Sequence, residues 1–230
     1  MMSELLPSWP VETARLLGDP HPLVGQLSTP SALRALARAG ANLPPAVRDL
    51  ASLRGFLTWY RMEILIPLEL PAIRKAFEHA NRFEVRELLA VDAALAREPR
   101  LRHFGAASWA VGRSQLWRLL PLRDQRLVRR YWQAAEDGKA RAWHVLIYGV
   151  VLSVFSLPLR QGLMSYGRQT LAGFVDAASR GQRWPVAECA RLFWEEAGRL
   201  PSAIEMVLGP GRPRLALCEH MPDPAPSRVN

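Results

Sequence analysis

From residue 48 onward the apolar positions recur at three- and four-residue steps, the spacing that lines one face of an α-helix. Leu50, Leu53, Leu57, Tyr60 and Ile64 form one such face, and Val85, Leu88, Leu89 and Leu95 another. Residues 101–120 predict a long helix that carries Gly105, Ala106, Ala107, Ser108 and Gly112, small residues that permit close helix approach. Residues 122–135 predict an amphipathic helix closed by Asp137-Gly138. Residues 140–155 are almost entirely apolar, which predicts a buried central helix. The next helix is predicted over 158–180. Its Gly162, Gly167 and Gly173 imply a neighbour packed closely against it. A last strong helix is predicted over 186–197, with a short one after Pro201 reaching Leu208.

Breakers punctuate this pattern. Leu43-Pro44-Pro45 ends a helix that Ser31 can cap, with Leu33, Leu36 and Ala37 as its apolar positions. Pro67 and Pro71 are expected to kink or split the helix that begins near Arg48-Asp49, because proline removes a donor and crowds the preceding turn. Pro99, Pro121 and Pro158 mark further ends, and Gly181-Gln182-Arg183 a break. No alternating strand pattern and no repeat of fixed period occur, so the sequence predicts an all-α, single-domain bundle of about eight to ten helices. Residues 1–30 hold five prolines and read as irregular, 31–208 as the helical domain, and 209–230 as a disordered tail.

Composition narrows the class. No apolar run reaches the length of a membrane span, and residues 1–10 lack a basic segment ahead of an apolar block, so the expected location is the cytoplasm. Two cysteines, Cys189 and Cys218, are too few for a disulfide framework. The net charge is +9, carried mostly by arginine, with lysine only at positions 75 and 139. The arginines are spread at helical spacing and form no dense run. They read first as a solvated surface and second as a face for an acidic protein partner.

Candidate chemistry is sparse. No phosphate-cradling glycine motif, no Gly-x-Ser-x-Gly elbow and no His-Glu-x-x-His occurs. His21, His79, His103, His144 and His220 are dispersed. His144, inside the apolar stretch, is expected to be a hydrogen-bonded core group. Cys218-Glu219-His220 is the one short cluster with soft-metal ligands and has no further partner nearby. Glu84/Glu87 and Glu195/Glu196 read as solvated helix faces. The tryptophans, including Trp109, Trp117, Trp132 and Trp143, fall on apolar stripes and read as packing residues. A second class of reading is a small helical enzyme with a pocket near His144, Tyr148 and Tyr166; a third is a basic regulator that binds nucleic acid.

The order of segments resembles the UreF family over roughly residues 16–208. Leu16-Leu17-Gly18-Asp19 followed by Pro22-Leu23-Val24-Gly25 resembles that family's opening block. Arg48-Asp49-Leu50, with Leu53 and Phe56-Leu57, resembles its second helix, which continues to a Leu-Pro step, here Leu70-Pro71. The block from Glu87 to Leu95 resembles its leucine-rich helix with one aspartate, Asp92. Trp143-His144-Val145 through Val150 resembles its glycine-bearing central helix, and Tyr166, Leu171, Val175 and Ala177-Ala178-Ser179-Arg180 resemble the helix after it. The turn that usually follows is shortened here to Gly181-Gln182, and Arg214-Leu215-Ala216-Leu217 matches the family's tail poorly.

The resemblance implies a non-catalytic scaffold of urease activation that needs no cofactor of its own. Such a scaffold would pair with itself and bridge a nickel-delivery GTPase and a second accessory protein beside the urease apoprotein. It would neither bind nucleic acid nor enter a membrane. Partner contact is expected at Tyr166, Arg180, Gly181, Gln182, Leu215 and Leu217.

Overall fold

The computed structural model describes residues 47–102, 105–122, 125–180 and 184–209. The expectations for the N-terminal segment, for the helix capped by Ser31, for Gly181 and Gln182, for Cys218-Glu219-His220 and for Leu215 and Leu217 in the tail fall outside these residues. The described chain is all-helical, as the periodicity predicts. In order, the helices are α1 (Leu50–Tyr60), α2 (Leu70–Asn81), α3 (Val85–Arg97), α4 (Gly105–Arg118), α5 (Arg126–Glu136), α6 (His144–Val154), α7 (Leu159–Ser179), α8 (Val186–Ala197) and α9 (Leu200–Leu208). Short 3-10 turns lie at Pro99–Leu101 and Leu120–Leu122.

The start of α1 is set by a capping box. The Asp49 side chain accepts from the Ser52 backbone N–H, and the Ser52 hydroxyl caps the Asp49 N–H in return. Two of the orphan donors of the first turn are thereby satisfied. The α-helical pattern is interrupted around Pro67, but the chain stays helical. Arg61–Glu69 forms a π-helix that runs without a break into α2, where Pro71 sits in the first turn. The wider π turn accommodates the missing donor of Pro67, and the Leu70 N–H bonds back to Leu65, five residues away.

This widening changes which residues share a face. Tyr60 and Glu69 are nine residues apart and hydrogen-bonded to each other. In a straight α-helix nine residues make about two and a half turns and would place them on opposite sides. The π segment rotates Glu69 inward beside Tyr60, and a carboxylate enters the core on a helix whose period predicts only apolar groups there.

Helix α6 is the centre of the bundle. His144 through Leu152 are all buried, and α2 and α4 pack along it. The helix is shorter than the apolar run that predicts it, because residues 140–143 form a connection instead. Gly149 sets the approach of α2 to α6: a Cβ there would lie 2.4 Å from the Ile73 carbonyl oxygen and 2.8 Å from Ala76 Cβ. Gly112 does the same for α4, where a Cβ would fall 1.9 Å from the Ala142 carbonyl oxygen. Two of the three glycines of α7 also find neighbours within the chain, Gly162 against Leu152 and Gly167 against Leu200.

Helices α8 and α9 close the far side through Leu192, Phe193, Leu200, Ile204 and Val207, all buried in the same core. Arg74 of α2 donates to the Val207 and Gly209 carbonyls at the end of α9, which lack intrahelical partners. Among the described residues no helix is long and apolar enough to cross a membrane.

Because backbone atoms rather than flexible side-chain ends face these glycines, substitution forces helices apart. Gly112→Ala and Gly149→Ala are each expected to cost roughly 1–3 kcal/mol in urea unfolding. Gly198→Ala, whose nearest heavy atom would be 3.1 Å away, should cost less. Equal losses at the three positions would contradict the account.

Candidate functional site

The polar side chains inside the bundle fall into three groups. The first surrounds Glu69. Its carboxylate, buried at 2 % exposure, accepts from the Tyr60 hydroxyl and is coupled to the buried Tyr166 hydroxyl. The Tyr166 hydroxyl lies 2.8 Å from His144 Nε2, and His144 Nδ1 lies 2.8 Å from the Ser108 hydroxyl. The chain Ser108–His144–Tyr166–Glu69 thus joins α4, α6, α7 and the π segment, with Tyr60 of α1 on the same carboxylate.

Proton direction along this chain follows from counting donors. Ser108 Oγ has two polar neighbours among the described residues, both on His144. It accepts from the His144 backbone N–H and gives its own proton to Nδ1. In the tautomer that matches this count, Nε2 carries the ring proton and faces the Tyr166 hydroxyl, which is coupled in turn to Glu69. In that tautomer the bonds run toward the carboxylate, and each polarises the next. His144 is the hydrogen-bonded core residue that its place in an apolar helix predicts.

The second group holds the connection before α6. Asp92 of α3, buried, accepts from the Arg141 N–H at 2.7 Å, the Ala142 N–H at 2.9 Å and the Tyr131 hydroxyl at 2.8 Å. Burial raises the Asp92 pKa, and these three donors pull it back toward the ionised form. Ala142 has a positive φ of 59°, a strained conformation for a residue with a Cβ. The Asp92 bonds keep it there, and its carbonyl then faces Gly112 across the narrow gap to α4.

The third group is an ion pair. Arg61 Nε donates to Glu196 Oε2 at 2.8 Å, and Glu196 is fully buried. Thr58 and Arg199 also donate to this carboxylate, at 3.3 and 3.1 Å. The sequence expectation for Glu195/Glu196 therefore holds for one residue only. Glu195 is exposed and pairs with Arg54, whereas Glu196 turns inward because α8 packs against α1.

The predicted partner residues are placed differently from one another. Tyr166 is a core residue, 5 % exposed, with its ring edge against Tyr148 at 5.0 Å between centroids. Arg180 caps the end of α7, is exposed and pairs with Asp176 at 2.7 Å. Its neighbours Gly181 and Gln182 lie outside the described residues, as do Leu215 and Leu217. Not all tryptophans pack inside: Trp143 is buried with its edge against Trp109, but Trp117 and Trp194 are exposed. The structure does gather His144, Tyr148 and Tyr166, as the enzyme reading requires. The cavity beside His144 and Glu69 has a volume of about 10 Å³, room for roughly one water molecule and no substrate. Among the described residues no cluster of three or more His, Cys, Asp or Glu could hold a metal ion.

All four tyrosines of the chain, Tyr60, Tyr131, Tyr148 and Tyr166, are buried, and burial raises the pKa of each above the ordinary value. A folded pKa above the unfolded one gives stability that is full below the unfolded value, near pH 10, and lost as pH rises beyond it. Ultraviolet titration of the native protein is expected to show no tyrosinate up to about pH 10, then ionisation together with loss of helix. Ionisation of one or more tyrosines with the helix intact would contradict this. Separately, Glu196→Ala leaves Arg61 buried without its carboxylate and is expected to cost about 3–5 kcal/mol in chemical unfolding. A loss below about 1 kcal/mol, the level of an exposed pair, would show the pair to be solvated.

The sequence profile of the UreF family matches residues 47–184, well over half of the chain. A search of curated proteins returns no match. The matched stretch takes in α1 through α7 with the whole Glu69 chain and the Asp92 clamp. Helices α8 and α9 lie beyond it and are nonetheless fastened to the matched part through Glu196 and Arg74. With the helical order expected from its sequence blocks and a profile match across the core of the bundle, the chain belongs to the UreF family of urease accessory proteins.

Proposed function

We propose that this protein is a non-catalytic, cytoplasmic scaffold that bridges a nickel-delivery GTPase and a second accessory protein while nickel is loaded into apo-urease. The family match over α1–α7 carries this reading. The use of the interior polar groups is in keeping with it. Ser108, His144, Tyr166, Glu69 and Asp92 are hydrogen-bonded to one another or to backbone, and the space beside them holds about one water. A scaffold works through its surface and needs a rigid interior. Polar groups spent on fastening helices serve that need, and nickel is cargo of the assembly.

In this role the protein forms a homodimer. The exposed apolar residues Trp194, Met206 and Val186 of α8 and α9 are available for burial between copies. Arg180 is exposed at the end of α7, where a partner can reach it without disturbing the core.

The direct test is complementation. A host with its own urease operon, lacking the gene for this chain, is expected to make urease protein with little nickel and little activity. Restoring the chain is expected to return both, and high medium nickel to return activity in part. Full nickel content and activity without the chain would overturn the proposal.

A further inference from the structure

The positive charge of this chain, which the sequence spreads along its length, is gathered by the fold. Between residues 105 and 135 there are six arginines and one carboxylate, Asp124. Four of the six, Arg113, Arg126, Arg129 and Arg130, are exposed and pair with no carboxylate among the described residues. Elsewhere six of the eleven exposed arginines among the described residues are paired, Arg54 with Glu195, Arg82 with Glu84, Arg160 with Glu205, Arg180 with Asp176, Arg191 with Glu188 and Arg199 with Glu196, and the five others are spread along the chain.

The local geometry concentrates these charges. Arg126, Arg129, Arg130 and Gln133 recur at three- and four-residue steps and form the outer face of α5. Helix α4 packs beside α5, and its outer face carries Ala106, Ala110, Arg113 and Trp117, with no acidic residue. Arg113 reaches across the seam toward the Ala135 carbonyl. Trp117 is 63 % exposed and, with Arg118, Leu120 and Pro121, lines an open cleft of about 580 Å³. The first turns of α5 have no acidic residue to offset the positive end of the helix dipole, so these arginines stand where cations disfavour the fold.

We infer that the α4–α5 face is a docking surface for an acidic polypeptide segment, whose carboxylates meet Arg126, Arg129 and Arg130 while an apolar side chain enters the Trp117 cleft. The shape favours a peptide over nucleic acid. The basic strip spans only about 6 Å of α5 before Gln133 and Glu136 follow on the same helix and Asp137 caps its end. An extended phosphate backbone would run onto those carboxylates. The alanines of α4 and the walls Leu120 and Pro121 offer apolar contact that a polyphosphate does not use. The inference goes beyond the accessory role and does not depend on it, since binding can be read without urease or nickel.

The test uses the full-length protein and a fluorescein-labelled amphipathic helical peptide with glutamates on one face and leucines on the other. A labelled single-stranded oligonucleotide of similar length is titrated in parallel by fluorescence anisotropy. The peptide is expected to bind, more weakly as salt rises. R126E/R129E is expected to weaken it about tenfold or more, and W117A several-fold with little change in salt dependence. R54E/R191E makes the same change in net charge on α1 and α8 and is expected to leave affinity unaltered. Circular dichroism should show unchanged helix content for R126E/R129E, with thermal stability equal or higher because the helix start is relieved. If that variant does not fold, R126Q/R129Q takes its place with a smaller loss expected. No peptide binding, equal loss in R54E/R191E, native-like binding by both R126E/R129E and W117A, or tighter binding of the oligonucleotide would each overturn the inference.

Discussion

A carboxylate taken out of water has to be given donors by the protein, and the position of Glu69 makes this demand at the middle of the bundle. The π segment at residues 61–69 turns Glu69 to the same side as Tyr60. Once there, it requires Tyr166 of α7, and the chain of donors runs on through His144 of α6 to Ser108 of α4. Apolar packing alone is nondirectional and tolerates sliding of one helix along another. This chain tolerates none, because a slip of one residue would leave a buried polar group unpaired at a cost of about 1–3 kcal/mol.

The other two polar groups extend the same logic outward. Asp92 holds the connection ahead of α6 in a strained conformation, and that conformation brings the Ala142 carbonyl into the space left by Gly112. The Arg61–Glu196 pair ties α8 to the start of the π segment, so helices outside the UreF profile match are locked to those inside it. Buried ion pairs are weak contributors to net stability but strong constraints on geometry, since either partner alone is costly. Together the three groups give a rigid body whose surface can be specialised without disturbing its interior.

Much of the fold was legible in the sequence because helical periodicity is a local signal. The buried character of α6, the amphipathic faces of α1, α3 and α5 and the placement of His144 as a bonded core group all follow from the spacing of apolar residues. Asp92 stood out as the single aspartate of a leucine-rich helix. Glu69 and Glu196 did not, because their burial depends on tertiary facts: a π turn that rotates one helix face, and the docking of α8 on α1. Pro67 signalled a disturbance but not its form, since a kink and a widened turn both answer a missing donor. The arginines of α4 and α5 looked scattered because a sequence does not show that two helices lie side by side.

The polar chain that ends at Glu69 joins four helices of the bundle, and the ring of His144 reports its direction most directly. Isotope-labelled histidine, observed by nitrogen NMR in the folded protein at neutral pH, distinguishes a ring nitrogen that bears a proton from one that accepts. His144 is expected to be held in one neutral tautomer, Nε2 protonated toward Tyr166 and Nδ1 accepting from Ser108. In Tyr166→Phe this preference should relax. A native His144 with the proton on Nδ1, or exchanging freely between the two forms, would contradict it.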